Sequence, residues 1–364
     1  MMSNQSTRVA HVLGELKYSG AEVMLSSGAN QLGADGSFII STGETEGEYA
    51  AKLSSVGYTI KHIAFSKSLS FFKSFYSLLR VENPELVHIH TERASAWLAL
   101  VARLSGVPVV RTIHNDFKFN GFLRFRRICS RQFARAIGVT HVSCSRKVAE
   151  NEYRRFGLGS RVIDNWIDFN RIARNETVDK FEVRRNLALS QEAFLTISIA
   201  NEAPAKNLMA LFEAIGKLGQ DYEHIHVGYA SDHLRRGAAY FAADRVKFCG
   251  VQPEIGDLLA ASDAFVCSST LEGGPLVLME AAAAGIPCVT TRVGVADEFG
   301  GCKGMVFTDP SSYSIAEGVR KIASLSPEEI KQASTSLSSF ARSRFSPDIG
   351  ATSYAELYAA SDYN

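Results

Sequence analysis

Glu272 and Glu280 stand eight positions apart, and between them the chain reads Gly273-Gly274-Pro275-Leu276-Val277-Leu278-Met279. A proline ahead of an apolar run predicts a helix with Pro275 in its first turn, where a missing N–H costs nothing. The glycines before it let the backbone approach a ligand, and the free amides and dipole of a helix start attract an anion. Glu280 then falls one to two turns inside the helix, and Glu272 on the loop ahead of it. Amides for a diphosphate, with carboxylates for the hydroxyls on either side, suit a nucleotide-sugar. Without that turn, the same residues would read as a helix cap and an exposed glutamate. No Asp-x-Asp is present to hold a divalent ion against such a ligand, so no metal is expected.

The elements that must position these groups alternate. Strand-like runs are Val9–Leu13, Gly36–Ser41, Thr59–Ala64, Leu86–His90, Val109–His114, His141–Cys144 and Val162–Ile163. A second set is Leu195–Ala200, His224–Gly228, Val246–Phe248, Ala264–Cys267, Pro287–Thr290 and Gly304–Phe307. Between them lie segments with helical spacing, such as Ser95–Leu104, Leu208–Leu218 and Leu276–Ala284. Strand–helix alternation predicts an α/β protein with two parallel sheets covered by helices. The natural boundary is the stretch Asp164–Thr177. Ligands of such sheets bind beyond the carboxyl ends of the strands, where the Glu272–Pro275 loop is expected.

With 364 residues, the chain has room for two domains, and 46% hydrophobic with 21% charged residues is globular composition. Net charge is only +1, but residues 111–161 hold twelve Lys/Arg against three Asp/Glu. Within that segment Lys118–Arg135 interleaves Arg124, Arg126 and Arg127 with Phe and Leu. It reads as a solvated helical face, or as a surface for anionic lipid headgroups. Nucleic acid is disfavoured, because no RNA- or DNA-binding motif accompanies it. The amino terminus lacks a secretory signal pattern, no apolar run is long enough to span a bilayer, and the six cysteines are scattered. The expectation is a cytoplasmic protein with buried reduced thiols, at most peripheral at the inner membrane face.

Ser268-Ser269-Thr270-Leu271-Glu272-Gly273-Gly274-Pro275-Leu276, Glu280 and Gly285-Ile286-Pro287 together resemble the S-x-x-E-G-x-P-L-x-x-x-E-A-x-A-x-G-x-P pattern of a known family. That family is the retaining glycosyltransferases of the GT-B fold, family 4 (glycosyl transferases group 1). The resemblance spans nearly the whole chain. Gly14 to Glu22 is similar to the family's first strand-to-helix loop, and Val87-His88-Ile89-His90 and Thr112-Ile113-His114 to two amino-domain landmarks. Lys206-Asn207 resembles its diphosphate grip, and Phe345 to Tyr358 its last helix. It implies two Rossmann-like domains with a cleft between them: residues 1–168, completed by a helix over 349–364, for the acceptor, and 169–348 for the nucleotide-sugar. Two positions depart from the pattern. Asn201 stands where an Arg is common, so a bidentate phosphate contact is lost, and Asn165-Trp166-Ile167-Asp168 replaces an Asn-Gly-hydrophobic-Asp landmark.

The resemblance implies roles residue by residue. Glu280 accepts from the ribose hydroxyls and Glu272 from those of the transferred sugar. Lys206, otherwise a solvated lysine, neutralises the departing diphosphate. Gly20, Asn201, Gly250, Gly273, Gly274, Leu276 and Val277 complete the donor site. His114 lies beside the donor sugar and is grouped with Glu272 and Lys206 as catalytic, unless it is a structural strand-end histidine. His90, with Arg124, Arg126 and Arg127, is assigned to the acceptor or membrane side, although His90 also reads as packed. The implied reaction is retaining transfer from a nucleoside-diphosphate sugar, UDP-linked as is commonest among relatives, to an acceptor hydroxyl, without cofactor or metal. The acceptor is a saccharide or a lipid-linked one, as in bacterial-type polysaccharide or glycoconjugate synthesis. A nucleotide-sugar epimerase on the same fold, or a catalytically silent nucleotide-sugar-binding subunit, stays open as an alternative.

Overall fold

The computed structural model describes residues 7–173 and 179–360. Part of the boundary stretch and the last four residues of the expected C-terminal helix therefore lie outside the described residues. The chain forms two compact units, Met1–Ile167 with Pro347–Asn364, and Asp168–Ser346.

The first unit is a parallel sheet of β1 (Val9–Leu13), β2 (Phe38–Ser41), β3 (Thr59–His62), β4 (Leu86–Ile89), β5 (Val109–Ile113), β6 (Val139–Ser143) and β7 (Arg161–Val162). Their order is β3-β2-β1-β4-β5-β6-β7. The second unit holds β8 (Phe194–Ile199), β9 (Tyr222–Val227), β10 (Val246–Gly250), β11 (Ala264–Cys267), β12 (Cys288–Thr291) and β13 (Met305–Thr308). It is ordered β10-β9-β8-β11-β12-β13. Helices cover both faces of each sheet, so the central strands are wholly buried and mostly apolar, broken in β1 by His11 and in β4 by His88. Each sheet reverses its winding once, between β1 and β4 and between β8 and β11, and ligands of doubly wound sheets settle at such reversals.

Packing around Trp166 fixes the chain's return to the first unit. The Pro347–Ala359 helix lies so close that a Cβ on Gly28 would stand 2.9 Å from both Ala351 and the Trp166 ring. The indole N–H donates to the Met24 carbonyl at 3.0 Å. Tyr354 and Tyr358 of the returning helix reach β4 and β5, so the C-terminal segment builds the face of the sheet that carries the histidines.

Candidate functional site

In the second unit, the loops after β8 and β11 are sewn together. Thr270 N–H donates to the Ala205 carbonyl at 2.7 Å, Ser268 Oγ to the Lys206 carbonyl at 2.8 Å, and Asn207 Nδ2 to the Ser268 carbonyl at 3.2 Å. This brings Lys206 Nζ to 2.6 Å from Glu272 Oε1, which also accepts from Ser269 Oγ at 2.8 Å. Lys206, Glu272, Ser269 and Val277 line one recess. The Leu276–Ala283 helix begins beside it with Pro275 as its N-cap, one residue ahead of the helical position the sequence suggested. Pro275 still serves the same end, for it presets the chain without removing a helical amide. The Gly273–Pro275 turn is backed by Gly294, held at φ +52°, where a Cβ would come within 2.5 Å of the Gly273 carbonyl.

Glu280 is fully buried. Both its oxygens lie 2.6 Å from Arg171 Nη1, and burial pushes its carboxyl above the ordinary range while Arg171 pulls it back and Asp168 pushes it further up. Asn201 Oδ1 accepts from the Ala203 amide at 3.1 Å, which shapes the turn leading to Lys206. Gly250 ends β10 at φ +68° and accepts from the Gly228 amide at 2.8 Å.

In the first unit, His11 of β1, His88 of β4, Thr112 of β5, and His90 and His114 just past their strands come together. His88 is saturated, with Nδ1 2.6 Å from the Tyr358 hydroxyl and Nε2 2.7 Å from Thr112 Oγ1, which meets Tyr354 at 2.7 Å. His90 Nε2 lies 3.1 Å from His11 Nδ1, and His90 Nδ1 3.2 Å from His114 Nε2. Burial lowers His114 to about 4, with the Arg111 guanidinium adding to it, and holds His90 well below its usual value. All these rings are neutral. His88, His90, His114, Trp166, Tyr354 and Tyr358 line a second recess, closed by the Gly20–Ser27 helix.

Residues 18–171 match a family model described as Glycosyltransferase Family 4, and residues 179–337 one described as Glycosyl transferases group 1. A putative teichuronic acid biosynthesis glycosyltransferase, TuaC of Bacillus subtilis, is 28% identical over 242 residues, covering 65% of this chain and 61% of that protein. A UDP-Gal:alpha-D-GlcNAc-diphosphoundecaprenol alpha-1,3-galactosyltransferase of Escherichia coli is 25% identical over 254 residues, 64% of each chain. This chain thus spans a little over three fifths of the length of these two relatives. Among solved structures, Anabaena HepE in complex with UDP and glucose superposes with a TM-score of 0.86 at 18% identity, over 97% of this chain and 100% of that one. Both family models describe glycosyltransferases, and the fold is GT-B.

The structure places the expected residues in two sets. Lys206, Glu272, Gly273, Gly274, Leu276, Val277, Glu280, Asn201 and Gly250 belong to the second unit, and Gly20, His90, His114 and the arginines to the first. Gly20 is not on a loop, as its sequence context suggested, but opens the Gly20–Ser27 helix behind Ser19. Arg127 is turned from solvent, 3.1 Å from Glu92 and over the Phe119 ring, and Arg124 Nε donates to the Arg155 carbonyl at 3.2 Å, whereas Arg126 is exposed. Cys129 is exposed too, contrary to the expectation of uniformly buried thiols.

Sequence reasoning missed Arg171, whose partner is 109 residues away, and His11, whose neighbours appear only once β1 pairs with β4. The ring nitrogens of His11, His88 and His90 lie within 4.8 Å of one another, a spacing a metal ion could bridge. All but His11 Nε2 are already held in hydrogen bonds. No helix among the described residues is long and apolar enough to cross a membrane.

Proposed function

We propose that this chain is a retaining glycosyltransferase that moves a sugar from a UDP-sugar to an acceptor hydroxyl without a required metal. The observation that carries the reading is the Lys206–Glu272 pair, 2.6 Å apart at the β8/β11 reversal and beside the start of the Leu276–Ala283 helix. As the glycosidic bond breaks, charge grows on the diphosphate. Lys206 and the amides of the Gly273–Val277 segment neutralise it from fixed positions. Glu272 accepts from the hydroxyls of the transferred sugar, and Lys206 pairs with it at 2.6 Å. Glu280 takes the ribose diol; Arg171 occupies its oxygens in the free protein and yields one when the ribose arrives.

Glu272 is committed to Lys206 and Ser269, so it is assigned to hydroxyl binding rather than to a covalent intermediate. Transfer with retention then runs on the front face, the departing diphosphate taking the acceptor's proton, while the protein supplies position and electrostatics. UDP as the donor nucleotide is supported by HepE, whose structure holds UDP and glucose, and by the galactosyltransferase named for UDP-Gal. The latter's diphosphoundecaprenol-linked acceptor also supports a lipid-linked acceptor here.

The Gly121–Ala136 helix supports a place at an anionic membrane surface. Its outward face carries Phe122, Phe125 and Phe133, 74%, 61% and 42% exposed, next to Arg126. Its inward arginines are neutralised, Arg131 by Glu152 and Glu92, and Arg127 by Glu92.

The deciding experiment incubates the protein with UDP-sugars and a pool of lipid-linked and free saccharide acceptors in the presence of a chelator. Acceptor-dependent release of UDP with an α-linked product from an α-linked donor supports the reading. An epimerised sugar, or donor binding with no transfer to any acceptor, overturns it.

A further inference from the structure

Three imidazoles run nitrogen to nitrogen from the interior of the first unit to its rim. His11 Nδ1 lies 3.1 Å from His90 Nε2, and His90 Nδ1 3.2 Å from His114 Nε2. At the inner end His11 is wholly buried, and its Nε2 has no partner. At the outer end no described residue bonds to Nδ1 of His114, which lines the recess. Burial keeps the rings neutral.

A neutral imidazole carries one N–H and one lone pair. Each contact needs one donor and one acceptor, so a chain of three has only two arrangements. Either every ring is protonated on Nδ1, or every ring on Nε2. The second leaves an N–H on the buried, unpartnered Nε2 of His11, while the first leaves only a lone pair there. Orphaned buried N–H groups are the rarer of the two in folded proteins.

We propose that His11 and His90 are positioning residues that lock His114 as its Nδ1–H tautomer. His114 then presents a proton to the recess, to be taken by a hydroxyl or phosphate oxygen of the ligand, and has no lone pair there to act as a general base. The value of this to catalysis rests on the reading that His114 faces the donor sugar; the tautomer itself does not.

The test is long-range proton–nitrogen NMR on protein labelled with 15N-histidine at neutral pH, with the His114 signals identified by their loss in His114→Gln. The expected spectrum shows His114 with a protonated Nδ1 and a bare Nε2. In folded His90→Leu the lock is gone, and the His114 signals shift toward the Nε2–H form that free imidazole prefers. A wild-type His114 protonated on Nε2 or on both nitrogens overturns the proposal, as does an unchanged Nδ1–H form in folded His90→Leu. If His90→Leu does not fold, the wild-type spectrum still decides. Adding UDP-glucose separates the two claims: Nδ1–H signals unmoved by bound donor would leave the tautomer standing and remove His114 from the donor site.

Discussion

At the scale of single residues, the most consequential finding is that both glutamates of the site are already paired. Lys206 holds Glu272, and Arg171 holds Glu280. The two pairs differ in burial, and that decides what each substitution reports. Glu280 has no exposed surface, so Arg171→Leu leaves a buried carboxylate without a counter-charge and should cost about 3–5 kcal/mol in a urea unfolding series at neutral pH. The loss should shrink as the pH is lowered, because the unpaired carboxyl becomes neutral. A loss independent of pH would mean that packing, not charge, is what Arg171 provides.

Lys206 is partly open, and its removal should spare the fold while striking transfer. Lys206→Met should lower kcat by about 10²-fold or more, the scale of losing one preorganised donor to a developing charge, with a Tm close to wild type. The raised pKa of Glu280 fixes a further sign. In the role proposed for it, its ionised form accepts the ribose hydroxyls, so nucleotide affinity should be present above that pKa and be lost as the pH falls through it. The fall should begin above the ordinary carboxylate range, and calorimetric titration with UDP across acid pH reads it.

At the scale of elements, the sheet of the first unit concentrates histidines where parallel strands normally carry aliphatic side chains. Burial holds His11 at about 3 and His114 at about 4, and keeps His88 and His90 well below their usual value, whereas an unfolded chain protonates each near 6.5. Below pH 6.5 the unfolded chain therefore binds protons that the folded one refuses. The stability these neutral rings allow is present above 6.5 and is lost as the pH falls toward their folded values. At pH 5.5 each such ring costs about 1 kcal/mol. Unfolding free energies from urea series at pH 7.5 and 5.5 should differ by several kcal/mol in total, and His88→Leu should narrow the gap even if it lowers both. Equal free energies would mean that the rings are protonated in the folded state.

The strands themselves were legible because buried parallel strands are mostly apolar runs. Val9–Leu13 and Ala264–Cys267 fall where the sequence put them, and the other strands differ by a residue or two at their ends. The Ser95–Leu104 helix was legible from its period. One helix start was not placed correctly, at Gly20, because a glycine after a strand also reads as an ordinary turn residue. The histidine chain was out of reach for a different reason. Val9-His11-Leu13 shows period two, but only the register His11 with His88 says which rings meet. Arg171 gave no local signal, since its role depends on Glu280 across the fold of the second unit.

At the scale of the whole molecule, a net charge of +1 conceals two units of opposite sign. The first has 21 Lys/Arg against 16 Asp/Glu, and the second 18 against 22. In the Gly121–Ala136 helix the usual amphipathic logic is reversed. Arg127 and Arg131 point inward because Glu92 and Glu152 are there to neutralise them, and the helical period then leaves Phe122, Phe125 and Phe133 outside. The sequence showed arginines interleaved with aromatics, but Glu152, buried, and Glu92, partly buried, decide which face is which.

Exposed rings beside uncompensated positive charge suit a surface that is anionic and apolar at once, which is the boundary of an anionic bilayer. The protein should therefore co-sediment with vesicles containing anionic phospholipid more than with neutral ones, and less as salt is raised. Phe122→Ser with Phe125→Ser should weaken binding by about tenfold or more, on the order of 1 kcal/mol or more per ring withdrawn from the headgroup boundary. Arg126→Ser should weaken it by about fivefold and flatten the salt dependence, at about 1 kcal/mol per basic residue near the surface. Both variants should keep full turnover on a soluble acceptor analogue, because these side chains lie outside the recesses of Lys206 and His114. Equal binding of the wild type to neutral and anionic vesicles would remove electrostatics from the interaction. Wild-type binding unaffected by the paired Phe→Ser change would move the contact away from this helix.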